Sequence, residues 1–252
     1  MKAYTTDKIR NLALAGHSGA GKTTLTEALL YKTGVLTRMG RVEDGNTVSD
    51  FDKEEIARGV SIGISILPVE WQDVKVNFID TPGYFDFSGE VYSALRAAEA
   101  ALVVIDAVNG IEVGTEKVLA YTKSIELPRI IFLNKMEKEN ASFHGVVEDL
   151  RSRYGKTIIP FTLPLGEGSS FIGIIDVLEK KAYEYKGGVK TEMPIPAEMV
   201  EEVDTLYNEI AEVVADTEDI LMEKFFNGES FDHQEFMKGV RAALMKGTVV
   251  PL

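Results

Sequence analysis

A chain of 252 residues, 45% of them hydrophobic, is long enough to bury one large core or one core with a smaller attached subdomain. Its formal net charge of -13 excludes broad, non-specific nucleic-acid binding, which needs a basic stripe, but leaves docking on a ribonucleoprotein through a small patch open. The lack of cysteine excludes a disulfide framework and thiolate metal sites, and His17, His144 and His233 have no zinc-ligand spacing, so any metal is a hard, oxygen-bound one.

No run approaches the roughly 18 consecutive apolar residues of a membrane span, and "MKAYTTDKIRNLALAG" contains no signal-peptide core. No membrane partner and a cytoplasmic location are expected. From Asn11 to Lys135 short apolar runs alternate with amphipathic stretches, the pattern of an α/β fold whose strands cross over through helices into a mostly parallel sheet. "NLALAG", "ISILPVEW", "KVNFID", "ALVVIDA" and "RIIFLNK" read as strands, and "GKTTLTEALLYKTG" and "FSGEVYSALRAAEAA" as helices, the first closed by Gly34. Residues 36–62 form a long polar connection, which marks a candidate switch.

After Gly155 the character changes. "TIIPFTLPLG" and "FIGIIDVLEKKAYEY" read as antiparallel strands, followed by an acidic helical stretch from Pro196 to Phe226 and a helix near Gln234 to Lys246. The expected organisation is a core over residues 1–155, an inserted α+β subdomain over 156–246, and a strand in 247–252, "GTVVPL", returning to the first sheet. A truncated chain is favoured there over a natural C-terminus. Trp71, Met199 and Leu206 fit core positions better than site positions.

"GHSGAGKT" follows a strand and opens a helix, matching G-x-x-x-x-G-K-[ST] in the context that motif requires. Such a loop (Gly16, His17, Ser18, Gly19, Ala20, Gly21) turns successive backbone N–H groups around a phosphate, and the following helix adds its positive end. Lys22 is expected to bridge β- and γ-phosphates and Thr23 to ligate Mg²⁺. Thr24 is counted with the nucleotide contacts, although a second polar helix residue suits it better. His17 fits a solvated or backbone-bonded side chain better than a catalytic one. Asp80 ends a strand where a carboxylate reaches Mg²⁺ directly or through water, and Gly83 in "DTPG" lets the backbone approach the γ-phosphate. In "LNKME", Asn134 and Lys135 precede Glu137, which can accept from guanine N1–H and its amino group while the lysine stem covers the ring. Adenine presents an acceptor at that position and is rejected.

These motifs resemble the translational GTPases, most closely elongation factor G and its paralogues. The resemblance covers nearly the whole chain, through "GHSGAGKTTLTEALLY", "SDFDKEEIARGVSI", "FIDTPGYFDF", "LPRIIFLNKMEKENASF" and the block from "GIIDVLEKKAYEY" to "LMEKFFNGE", which is similar to the G' subdomain of elongation factor G. It implies a GTP-binding domain that hydrolyses GTP to GDP with Mg²⁺, and a truncation before the family's last guanine-contacting loop. It also implies a full-length protein that works on the ribosome, with a ribosomal stalk protein as candidate partner of the G' subdomain; the fragment itself is expected to be monomeric. Four positions depart from the family. Ser61 stands for the switch threonine whose hydroxyl and carbonyl meet Mg²⁺, Glu137 for an aspartate, and Gly19 for an aspartate that helps hold a monovalent cation. Tyr84 stands for the histidine that orients the attacking water, beside Lys22 and Gly83 in the catalytic set. A phenol with a pKa near 10 cannot match an imidazole poised near neutrality. Slow or differently triggered hydrolysis is the expectation, with a GTP-binding switch that barely turns over as the alternative; a P-loop small-molecule kinase lacks an acceptor-site motif.

Overall fold

The computed structural model describes residues 2–252, which divide into two compact units. The first comprises the described residues up to Asp106 together with Ile111–Asn134, and the second Ala107–Gly110 with Lys135–Leu252. This parting falls upstream of the boundary at Gly155 read from the sequence.

In the first unit, strand β1 (Ile9–Ala15) leads through the glycine loop to helix α1 (Lys22–Lys32). Helix α1 stops in a Schellman turn: Gly34, at φ +76°, donates to the Tyr31 carbonyl and Val35 donates to that of Leu30. The long connection that follows contains a short helix α2 (Lys53–Arg58). Strands β2 (Ser65–Trp71) and β3 (Val74–Asp80) form a hairpin whose two turn residues, Gln72 and Asp73, both have positive φ, as a type I′ turn requires. Helix α3 (Ser88–Ala97), strand β4 (Ala100–Asp106), helix α4 (Val113–Ser124) and strand β5 (Arg129–Asn134) complete the unit.

The sheet order is β2-β3-β1-β4-β5, with β3, β1, β4 and β5 mutually parallel and only the edge strand β2 antiparallel, so the mixed α/β expectation holds. Central β1 is covered on both faces, which is why "LALA" is continuously apolar; Ala13, Leu14 and Ala15 are fully buried. Leu14 packs with Leu30, Leu67, Val69 and Phe78 in one core cluster. Because β3 and β4 lie on opposite sides of β1, the chain reverses its direction of winding there, and the carboxyl end of β1 opens a crevice suited to a ligand. Trp71, a core residue by expectation, is 55% exposed, because it ends an edge strand at the hairpin turn.

The second unit contains helix α5 (Phe143–Tyr154), strand β6 (Ile158–Ile159), and a four-stranded antiparallel sheet of order β10-β9-β8-β7. Its strands are β7 (Thr162–Leu165), β8 (Gly173–Asp176), β9 (Lys181–Lys186) and β10 (Val189–Met193). The acidic stretch folds as two helices, α6 (Val200–Ala215) and α7 (Asp219–Phe226), and α8 (His233–Lys246) follows with a complete capping box from Asp232 and Glu235. Leu206 is buried, as expected, on the inner face of α6. The sequence reading sends "GTVVPL" into the first sheet. In the structure β11 (Val250–Pro251) pairs in parallel with β6 instead, because the Val250 N–H reaches the Thr157 carbonyl and the Leu252 N–H that of Ile159, burying Val249, Val250 and Leu252.

Candidate functional site

Register places Asp80, the last residue of β3, beside Leu14 of β1, so the acid stands at the mouth of the glycine loop. Two glycines make the close approach of segments there feasible. A Cβ on Gly16 would lie 2.3 Å from the Val104 carbonyl oxygen, and one on Gly83 would lie 2.6 Å from both Lys22 Nζ and Ser18 Cα. The loop after β3 therefore rests directly on the loop after β1. Thr81 anchors its root by donating to the Leu14 carbonyl at 2.7 Å.

Lys22 is buried, and its ammonium donates to the carbonyls of Gly16 at 3.1 Å and His17 at 2.9 Å. Burial lowers its pKa to about 8, against the pull of the Asp80 and Asp50 charges. Asp80 is 2% exposed and neither carboxylate oxygen accepts a hydrogen bond. Burial raises its pKa to about 6, although the Lys22 charge and the nearby Thr23 and Ser49 hydroxyls favour its ionised form. An unpartnered buried carboxylate is costly, so this one marks a place for a cation.

Thr23 Oγ1 lies 3.2 Å from Ser61 Oγ, and Ser61 donates to Asp50 Oδ1 at 2.7 Å. Burial, then the charges of Glu55 and Glu27, raise the pKa of Asp50, while its hydrogen bond from Ser61 lowers it. The donor set of Thr23, Ser61, Asp50 and Asp80 consists of hard oxygens and fits a divalent cation of the Mg²⁺ type. Asp50 carries no motif of its own, and only the fold brings it to Ser61.

The structure distributes the remaining sequence candidates unevenly. Ala20 is buried and its carbonyl accepts from Asn134 Nδ2 at 2.9 Å, so the end of β5 is tied to the phosphate loop. Lys135 has φ +64°, and Glu137 is exposed. Thr24 is exposed, unlike Thr23. His17 is turned toward the start of α4, where Nδ1 accepts from the Gly114 N–H at 3.2 Å and Nε2 lies 3.4 Å from Glu112, so the side chain is bonded to backbone. Tyr84 is 48% exposed and, with Pro82, Phe85, Tyr92 and Lys117, lines an apolar recess of about 30 Å³. The Lys117 ammonium sits 3.5 Å from the centre of the Phe85 ring.

Besides Asp50, the buried acids Glu55 and Glu27 shape this region without being sequence candidates. Glu55 caps α2 by accepting from the Asp52 N–H at 3.1 Å, and its other oxygen accepts from Ile62 at 2.9 Å and Gly63 at 3.1 Å, fixing the backbone just after Ser61. "DKEE" is legible as a capping box. Glu27 of α1 accepts from Gly40 and Val48; its signal is an acid on the helix face that also carries the buried Thr23 and Leu30.

A glycine loop between β1 and α1, a buried lysine within it, and a strand-end aspartate beside it define a P-loop GTPase G domain. The chain belongs to the family of the elongation factor Tu GTP binding domain, which matches residues 7–247. The translational GTPase resemblance carried by the motifs thus holds at the level of the family. A Thermus thermophilus protein of known crystal structure is similar at 40% identity and a TM-score of 0.91 over 97% of this chain. The chain spans 37% of the length of that protein. Among the described residues no helix is long and apolar enough to cross a membrane.

Proposed function

We propose that this domain binds Mg²⁺ and GTP, hydrolyses GTP to GDP, and serves as the conformational switch of an elongation factor G-like protein in ribosome-linked translation elongation. The observation that carries the reading is the unpartnered, buried Asp80 facing the loop of Lys22. In this reading residues 1–155 are the GTP-binding core and 156–246 the inserted G' subdomain, with the strand in 247–252 paired with β6. The backbone of residues 16–21 cradles the β-phosphate, and Lys22 turns from its loop carbonyls to the β- and γ-phosphates. Thr23, Ser61 and Asp80 hold the cation, which when bound neutralises phosphate charge. Asn134, Lys135 and Glu137 select guanine, and Gly83 lets its N–H meet the γ-phosphate. The whole protein acts in the cytoplasm on the ribosome, with the acidic helices of the second unit offered to a stalk protein and the domain itself monomeric.

A second reading, a GTP-operated switch with little hydrolysis, is favoured by Tyr84. By the family resemblance it follows Gly83 where a water-orienting histidine is expected, and its side chain is half exposed beside an apolar recess. Single-turnover GTP hydrolysis by the full-length protein, with and without ribosomes, separates the two. Ribosomes that accelerate the wild type by orders of magnitude support the first reading, and acceleration confined to Tyr84→His supports the second. No saturable guanine-nucleotide binding at all would overturn both.

A further inference from the structure

The loop that carries Glu137 is held from behind by another part of the second unit. Residues 135–142 turn tightly: Lys135 and Asn140 have positive φ, the Lys138 N–H donates to the Lys135 carbonyl at 3.0 Å, and the Ala141 N–H donates to that of Lys138 at 3.1 Å. Met136, the neighbour of Glu137, is buried, and its carbonyl accepts from the Gly168 N–H at 2.8 Å. Just past the far end of the loop, the Phe143 N–H donates to Glu167 Oε1 at 2.6 Å. Glu167 and Gly168 belong to the short connection between β7 and β8. That connection is closed on itself. The Ile172 N–H donates to the Leu165 carbonyl at 2.9 Å, the Ser170 hydroxyl donates to the Glu167 carbonyl at 2.7 Å, and a Cβ on Gly166 would lie 2.2 Å from the Ser170 carbonyl oxygen.

Phe143 opens α5, so its N–H has no partner within the helix, and a carboxylate there is favoured both as an acceptor and by the helix dipole. Support of α5 does not account for the whole arrangement. Ser142 Oγ already accepts from the Gly145 N–H at the same helix start, and the Gly168 N–H engages a carbonyl one residue from Glu137 instead. Two consecutive residues thus bracket the exposed Glu137, one bond on either side of it. We propose that Glu167 and Gly168 are positioning residues for base recognition: they fix the backbone around Glu137 so that its carboxylate meets guanine N1–H and the exocyclic amino group together. This rests on the reading of Glu137 as the guanine acceptor given above and deepens it. A carboxylate accepts from both groups in one orientation only, so a loosened loop loses the second contact. With it goes the preference for guanine over hypoxanthine, which lacks the amino group.

The test is equilibrium titration of the full-length protein with GDP and with inosine diphosphate, for the wild type, Glu167→Gln, Glu167→Ala and Gly168→Ala. Glutamine at 167 keeps a carbonyl oxygen for the Phe143 N–H, and alanine removes it. Alanine at 168 sets a side chain at φ +59° with its Cβ 3.4 Å from the Lys138 carbonyl oxygen, and so attacks the same support while leaving Glu167 in place. The wild type is expected to prefer GDP by about tenfold or more. In both alanine variants GDP binding weakens about five- to tenfold and the preference shrinks to less than about threefold, whereas Glu167→Gln stays within about twofold of the wild type. A preference that survives both alanine variants, even with both nucleotides bound more weakly, would overturn the proposal, as would a glutamine variant no better than alanine. If Glu167→Ala does not fold, Gly168→Ala decides. A wild type that binds the two diphosphates equally refutes the reading of Glu137 and this inference with it, and that failure shows before any variant is made.

Discussion

Two stretches reach the phosphate loop, Gly40–Gly63 and Asp80–Phe87, and they treat their buried acids in opposite ways. The first is held by its own Glu55 and by Glu27 of α1, both saturated by backbone N–H groups, two on Glu27 and three on Glu55, while its Asp50 accepts the Ser61 hydroxyl. In the second, Asp80 is as deeply buried and accepts nothing. Beyond Gly83 that loop turns outward, leaving Tyr84 and Phe85 exposed. A saturated carboxylate in a core is part of the fold, because its desolvation is already offset; an orphaned one is offset only when a ligand arrives. The two stretches thus separate structure from function within a single site.

The comparison is most open to breaking at the exposed end of the second stretch. If Tyr84 stands where the family's water-orienting histidine is expected, as the second reading proposes, replacing it by histidine should raise single-turnover hydrolysis by the full-length protein on the ribosome about 10²- to 10⁴-fold. A rate within about twofold of the wild type would mean that the phenol already does this work. Next in size is Lys22→Ala. Removing one partner of a buried charge pair costs about 2–5 kcal/mol, so equilibrium titration should find GTP and GDP both bound roughly 30- to several-thousand-fold more weakly. Retention of wild-type affinity would show that Lys22, bonded to its own loop carbonyls, belongs to the fold and not to the ligand.

Asp80 gives the sharpest contrast in sign. Its folded pKa of about 6 stands above the ordinary 3.8, so between those values the folded carboxyl holds a proton that the unfolded one has released. Stability of the nucleotide-free protein in chelator therefore falls as pH rises through this window, and above about pH 6 the whole penalty, on the order of 2–3 kcal/mol, is present. Asp80→Asn should be more stable than the wild type by about that amount at pH 7.5, with the gain fading below pH 4 in chemical denaturation. Glu27→Gln should move stability the other way, since it sets an NH₂ against an N–H. Two shifts of the same sign would erase the distinction between saturated and orphaned acids.

How much of this was legible in the sequence follows from what is local. The glycine loop, Lys22, Thr23 and Asp80 are short motifs whose spacing within β1, α1 and β3 already states their context, and the runs that became β1 to β5 are continuous or alternating apolar stretches. Helices α4 and α5 are regular yet carry weak sequence signals. Helix α4 begins Val113-Gly114, poor helix formers, after a cap residue that makes no side-chain cap hydrogen bond. Asp50, Glu27 and the partners of β11 were out of reach for a different reason. The two acids depend on which irregular backbone N–H or hydroxyl the fold carries to them, from 13 and 21 residues away for Glu27, and the partner of β11 is a strand of only two residues, so neither leaves a period to read.

The smallest effect tests whether the first stretch is one unit or several. Helix α2 has six residues, too few to stand alone, and it is held by a capping box in which Asp52 accepts from the Glu54 N–H at 2.8 Å while Glu55 returns to the Asp52 N–H. It ends at Gly59 in the left-handed region. Asp52→Ala removes one arm of the box and should cost about 1 kcal/mol. Because Glu55 keeps its bonds to Ile62 and Gly63, that loss should stay local, with faster exchange of the α2 amides while Gly40 and Val48 remain protected. Faster exchange at all of these amides together would mean that Glu27 and Glu55 hold a single cooperative segment, and a change at either would then release Ser61.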